Sequence, residues 1–216
     1  MNKNSEPNPI VDPISGFLNR NAGMVAASQL LAEAKSSNGL LIAFWIDMDR
    51  FRQINDSFGH AGGDRVIGHI AERIRNCVPE DSNFLRVGSD EFVVLMCVPE
   101  ELGAEQIAGR ILLEIEQPLL IDGILIHPSA SIGLAWSRVN DDPGALLERA
   151  DRAMIDAKQQ GGNRFVVSGS EAVPGRLGAK LAREELAIES ALHLALESGG
   201  LELHYQPIIR PDGRIE

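Results

Sequence analysis

The sequence predicts an α/β (α+β) domain over residues 13–168, a sheet flanked by helices, and three observations carry that expectation. Apolar residues recur at helical spacing in several segments, short apolar runs of strand length alternate with them, and Gly, Asp and Asn occupy the gaps. Helices that alternate with strands pack as layers around one core. The 216 residues, 44% of them hydrophobic, suffice for such a domain plus a remainder.

The elements follow in order. Residues 1–12 read as a linker, with Pro7 and Pro9 and no periodicity. From Asn19 to Lys35, Met24, Ala27, Leu30, Leu31 and Ala34 fall on one helical face, and Asn38-Gly39 ends that helix. Leu40 to Asp47 is almost wholly apolar, as in a strand covered on both faces by helices, and its end is polar at Asp47 and Asp49. A Gly-rich turn is expected at Gly59–Gly63, then a helix from Asp64 to Val78 carrying Val66, Ile67, Ile70, Ala71 and Ile74 inward.

Asn83–Val87 and Phe92–Val98 are strand-like runs joined by Gly88-Ser89-Asp90-Glu91, which is hairpin chemistry. Pro99 with Glu100 and Glu101 opens a helix reaching about Glu116, its acidic first turn suiting the helix dipole. Two short strands flank Asp122-Gly123, a strand follows over Ser129–Trp136, a helix over Pro143–Gln160 and a last strand over Arg164–Val167. Residues 169–178, rich in Gly, Ser and Pro, read as a second linker. Residues 179–216 offer one helix and one strand, too little to close a core, as at the start of another domain.

Composition narrows the function. With 20 basic against 31 acidic residues, a net charge of −11, the chain is a poor match for nonspecific binding to nucleic acid or to anionic membrane. No apolar run approaches the roughly 18 residues of a membrane span, and the N-terminus lacks a signal-peptide pattern. Cys77 and Cys97, without CxxC spacing, are expected as reduced, buried thiols of a cytoplasmic protein.

The informative feature is where carboxylates fall. Asp47 and Asp49 end one buried strand, and Asp90 and Glu91 sit at the hairpin tip, so pairing of those strands would converge four carboxylates at one sheet edge. Such a set repels itself unless a hard cation sits among it, and Mg²⁺ is commonly held by one or two carboxylates plus substrate phosphates. Between these points runs a polar loop, Arg50 to Asp64, beyond the end of a buried strand, where ligands of α/β sheets bind. Within it Asn55 and Asp64 match the hydrogen-bonding edge of guanine. An Asx-turn at Asn55 and a helix cap at Asp64 are equally compatible with the sequence.

Taken together, residues 12–20 (Asp-Pro-Ile-Ser-Gly-Phe-Leu-Asn-Arg), 47–64, 86–92 (Arg-Val-Gly-Ser-Asp-Glu-Phe), Ser131-Ile132-Gly133 and 150–158 resemble, in order and spacing, the GGDEF domain of diguanylate cyclases. Leu201-Glu-Leu-His-Tyr-Gln-Pro-Ile208 is similar to the opening of an EAL phosphodiesterase domain. The resemblance implies a nucleotidyl-cyclase-like fold with a central, mostly antiparallel sheet. It implies condensation of two GTP into cyclic di-GMP by a homodimer, each protomer holding one GTP. By position, Asp47, the Met48 carbonyl and Asp90 would bind Mg²⁺, with Mn²⁺ as a substitute, and Glu91 would assist metal binding or deprotonation. Asn55 and Asp64 would read guanine, while the amides near Arg50 and Phe51, the Gly88-Ser89 turn and Lys158 would face the nucleotide.

Three departures from the family pattern stand out. The second signature glycine is Ser89, whose Cβ resists positive φ. A basic residue common four positions after Lys158 is Gly162, and Arg52 replaces a usual Lys. The Arg and Asp of a product-inhibition motif are Pro79 and Ser82. The expectation is therefore a GTP-binding domain with weak or no cyclase activity that regulates an EAL domain, an active cyclase being the alternative.

Overall fold

The computed structural model describes residues 10–37, 39–98 and 103–169; the readings for residues 1–9, for Pro99–Glu101 and for 170–216 fall outside them. The chain runs β1 (Leu18–Asn19), α1 (Arg20–Ser36), β2 (Leu40–Met48), α2 (Phe51–Asn76), β3 (Asn83–Arg86), β4 (Glu91–Val98), α3 (Ala104–Glu116), β5 (Leu119–Ile121), β6 (Ile124–Ile126), β7 (Ala130–Trp136), α4 (Pro143–Gln159) and β8 (Arg164–Val167). Among the described residues these form a six-stranded sheet, in the order β1-β3-β4-β2-β7-β8, and a separate β5-β6 hairpin. The inner pairs β3-β4, β4-β2 and β2-β7 are antiparallel, and the outer pairs β1-β3 and β7-β8 are parallel.

Strand parity divides the core. Ile42, Phe44, Ile46 and Met48 of β2 face α2 and α3 together with Val94 and Ile132, while Leu41, Ala43 and Trp45 face α1 and α4 with Leu95 and Ala135. Each buried aliphatic side chain is worth about 1.5–3 kcal/mol, so a one-residue slip of β2 would forfeit both sets at once and the register is firmly held. The parity also sends Asp47 to the α4 face. Cys77 is buried as expected; Cys97, near the end of β4, is exposed, with its thiol against the Leu30 carbonyl of α1 at 3.6 Å.

Asn19 caps α1 by accepting the Ala22 N–H at 2.9 Å, which explains why the helix begins where the apolar periodicity does. Residues before it are tied in: Asn19 N–H donates to the Ile10 carbonyl at 2.8 Å. The main departure from expectation is α2. In place of a loop through Gly63 with a helix after it, helical structure starts at Phe51 and continues through a kink at Gly59 (φ 68°, ψ 173°). A single left-handed glycine absorbs the bend, after which the i→i−4 bonding resumes. Gly63 then serves contact rather than turning, since a Cβ there would stand 1.9 Å from Asn55 Oδ1.

The Asp122-Gly123 turn has φ of 49° and 82°, as a tight hairpin requires, and Arg65 of α2 holds it through Asp122 at 2.7 Å. Across the sheet, α4 lies directly on β7. A Cβ at Gly133 would meet the Ala150 carbonyl oxygen at 2.0 Å and Met154 N at 2.2 Å, both backbone atoms that cannot rotate away. Gly133→Ala is therefore expected to destabilise the domain by about 1–3 kcal/mol, the range for overpacked cores, read as a lower urea midpoint at unchanged slope. An unchanged midpoint would mean that α4 is free to lift.

Candidate functional site

Pairing assembles the site. Asp47 on β2 lies opposite Glu91 on β4 and opposite Ser131 on β7. The turn before β4 folds back on the end of β2, where Met48 N–H donates to the Asp90 carbonyl at 3.2 Å. Asp47, Asp90 and Glu91 are thereby gathered at one sheet edge, as the sequence suggested. Lys158, on the last turn of α4, reaches Asp47 Oδ1 with its ammonium at 2.6 Å. That oxygen is buried and forms an ion pair without a well-angled hydrogen bond. Burial pushes the Asp47 carboxyl above its ordinary value and Asp90 and Asp49 add to that, against Lys158. Burial likewise raises Glu91, with Asp47, Asp90 and Asp151 contributing.

Asp49 lies within electrostatic reach of Asp47, but its own oxygens are taken by protein donors. Its carboxylate accepts from Ser129 Oγ (3.0 Å), Ser131 Oγ (2.7 Å) and the Asn163 N–H (2.9 Å), donors close enough to claim it for structure. It thus clamps the turn between α4 and β8 onto β7. Gly162, in that turn, has φ 72°, and a Cβ there would lie 3.0 Å from Asp49 Oδ2. A side chain at 162 would be both strained and crowded.

Around α2, Arg50 is left-handed (φ 55°) at the N-cap position and its side chain makes no cap, so the first amides of the helix have no side-chain acceptor. Such an uncapped start favours anions. Phe51 is buried in the core and can offer a ligand only its backbone. Asn55 lies within the helix against Gly63, the neighbour of exposed Asp64. Neither an Asx-turn at Asn55 nor a cap at Asp64 forms, because both positions are already helical.

At the hairpin tip, Gly88 lies under the Glu91 side chain, whose Oε2 would be 2.7 Å from an added Cβ. Ser89 does not take the positive φ that its Cβ resists: among the described residues, left-handed non-glycine φ occurs at Arg50, Asp122 and Asn163. The turn closes through Val87 N–H on the Glu91 carbonyl (3.0 Å) in a conformation open to any L residue. The Ser89 hydroxyl donates to Asp90 Oδ1.

Arg86 was not anticipated as a functional residue. It donates to Asp12 Oδ1 (2.9 Å) and to the Ser89 carbonyl (2.6 Å), tying the first turn of the domain to the tip that carries Asp90. Burial works against the Asp12 carboxylate, yet the Ser15 amide and hydroxyl and Arg86 together hold its carboxyl below the ordinary value. The signal was its place just before the Gly-Ser-Asp-Glu turn.

The donor set suits a hard cation. Asp47 Oδ1 is a buried oxygen whose one partner is the Lys158 ammonium, with the Met48 carbonyl beside it in sequence and the Asp90 charge within electrostatic reach. Among the described residues no three acidic, His or Cys side chains form a ready cage.

Comparison with known proteins adds the family context. A family model described as "Diguanylate cyclase, GGDEF domain" matches residues 10–164. The chain is 32% identical over 205 residues to the cyclic di-GMP phosphodiesterase PdeR of Escherichia coli K12, covering 94% of this chain and 30% of that protein. It is 36% identical over 184 residues to the diguanylate cyclase TpbB of Pseudomonas aeruginosa, covering 83% of this chain and 41% of that one. The chain thus spans less than half the length of these curated relatives. A solved structure of TpbB comprising only the GGDEF domain superimposes with a TM-score of 0.69 at 36% identity, covering 73% of this chain and 94% of that one. The GGDEF domain of DgcB from Caulobacter crescentus, in complex with c-di-GMP, gives a TM-score of 0.69 at 25% identity, over 76% of this chain and 99% of that one.

The raised Glu91 carboxyl has a measurable consequence. The folded protein binds that proton more tightly than the unfolded chain, so stability falls as pH rises from the ordinary glutamate value of about 4.3 through the raised one. Glu91→Gln removes this cost. Without divalent cations its melting temperature is expected a few degrees above that of the unsubstituted chain at pH 8, the gain vanishing below about pH 4. A gain that persists unchanged at acid pH would assign the effect to packing.

Proposed function

The chain belongs to the GGDEF family of diguanylate cyclase domains, and from that premise we propose that it binds GTP with Mg²⁺ in a cyclic di-GMP signalling protein, turns it over weakly or not at all, and regulates an EAL phosphodiesterase domain that begins within residues 179–216. The observation that carries this reading is the pairing of Asp47 with Glu91 where the central strand ends, with the charge of Asp90 within reach of both.

In this reading Asn55 and Asp64 pair with the guanine edge, and the amides at Arg50 and Phe51 with Lys158 meet the phosphates. Asp47, the Met48 carbonyl and Asp90 hold the cation, with Mn²⁺ as a substitute for Mg²⁺, which when bound neutralises charge on the transferring phosphate. Lys158 then exchanges its ion pair with Asp47 for one with phosphate. Glu91, with its raised proton affinity, takes a proton from a ribose 3'-hydroxyl. The attacking and attacked nucleotides sit on two protomers, so turnover requires a homodimer.

Slow turnover follows from local chemistry. The Ser89 hydroxyl occupies Asp90 Oδ1, an oxygen the cation needs, and position 162 carries no cation. Pro79 and Ser82 leave no Arg and Asp for a product site. For the EAL domain, the alignment with PdeR spans 205 residues and so extends beyond residues 10–164. This reading takes the domain to be cytoplasmic, where GTP is found; among the described residues no helix is long and apolar enough to cross a membrane. A second reading, an active diguanylate cyclase, is favoured by the unstrained backbone at Ser89 and by the retained Asp90-Glu91 pair.

Two measurements test this. Calorimetry with Mg²⁺ is expected to show GTP binding in preference to ATP, with Asp64→Ala losing about 1–3 kcal/mol, the scale of a buried donor left unpaired; equal ATP affinity would sink the guanine reading. Incubation with GTP and Mg²⁺, followed by chromatography for cyclic di-GMP, is expected to show little product from the unsubstituted chain and more from Ser89→Gly, with GTP affinity less changed. Brisk turnover that Ser89→Gly leaves unaltered would make the active cyclase the correct reading.

A further inference from the structure

We infer that Arg164 is a second phosphate-binding cation of this site, placed to meet the outer phosphates of a nucleoside triphosphate held beside Asp47 and Lys158. The inference rests on the GTP-binding reading above and names a residue that reading does not use.

The sheet register supplies the first argument. Glu91 pairs with Asp47, Asp47 with Ser131 and Ser131 with Arg164, so the four form one row across β4, β2, β7 and β8. Cross-strand partners share a face. Phe165 and Val167 pack with Ile46 and Ile132 against α2 and α3, so Arg164 projects on the other face, with Asp47 and beneath the end of α4 that carries Lys158. Two strand spacings, roughly 10 Å, separate Arg164 from Asp47 at the backbone, a gap that a long side chain and a bound phosphate can span together.

Availability supplies the second. Arg86 and Arg149 are committed to Asp12 and Asp141, and Lys158, paired with Asp47, is the one ammonium the proposed site already counts. Arg164 is exposed, makes no ion pair among the described residues, and is steadied by one hydrogen bond from its Nε to the Gly162 carbonyl at 3.2 Å. Position 162 itself, left-handed and pressed against Asp49, is closed to a long side chain. The guanidinium of Arg164 lies over that same turn, and its planar fork suits phosphate oxygens. With Asp47, Asp90 and Glu91 already concentrating negative charge, a bound triphosphate needs compensation beyond one divalent cation and one ammonium.

The test is calorimetry on the full chain in Mg²⁺ with GTP and with GMP. Arg164→Ala is expected to weaken GTP about tenfold or more, as for loss of a charge-assisted hydrogen bond, and to leave GMP unchanged, while Arg164→Lys recovers part of the loss. Arg164→Gln, titrated in parallel, serves the same purpose if the alanine chain melts early. Unchanged GTP affinity in the alanine and glutamine chains, or an equal fall for GMP, overturns the inference and leaves the GTP reading intact. Absence of Mg²⁺-dependent GTP binding by the unsubstituted chain overturns that reading, and this inference with it.

Discussion

A carboxylate buried where the central strand ends is the constraint around which the rest is arranged. β2 is apolar on both faces until Asp47, so the group that ends it sits in a desolvated setting with Glu91 directly opposite. An ionised carboxylate persists there only with a cation in contact. Lys158 meets that need at 2.6 Å, and it can do so because Gly133 lets α4 lie against β7 and Asp49 fastens the turn that follows the helix. Helix placement, small residue and clamp answer one electrostatic demand.

The acidic residues fall into two groups with opposite leanings. Asp12 is surrounded by donors from Ser15 and Arg86, so its charged form is favoured and contributes stability that is present above its ordinary value and lost as acid protonates it. Asp47 and Glu91 are the reverse, groups whose charge the fold tolerates at a cost. The cluster at the strand end is built from the second kind, and the first kind anchors the edges that hold it. Arg86 joins the two, since one guanidinium grips both Asp12 and the backbone of the hairpin tip.

Much of this was legible in the sequence because it depends on periodicity and pairing. The apolar run from Leu40, the hairpin across Gly88–Glu91 and the inward face from Leu146 to Ala157 each announce their element and the side it buries. The convergence of Asp47 with Asp90 and Glu91 followed from those strands alone. What escaped depends on tertiary contact or on a single backbone angle. Gly59 to Gly63 looked like a turn, since composition does not separate a glycine that bends a helix from one that admits Asn55. Asp49 had the same claim to the cluster as its neighbours until Ser129, Ser131 and Asn163 came near it in space. The relaxed backbone at Ser89 is set by bonds from Val87 and Arg86 that no local pattern reveals.

The contact at Gly133 also sets a timescale. Because the backbone of α4 rests on the backbone of β7 with no side chain between them, the helix has no layer on which to slide, and a displacement along its axis would have to break the sheet contact. Lys158, partly exposed at the end of the helix, is joined to that rigid body only through its own rotatable bonds. Any movement of its ammonium is then a rotation about side-chain bonds, whereas a displacement of α4 would belong to the slower class of element shifts.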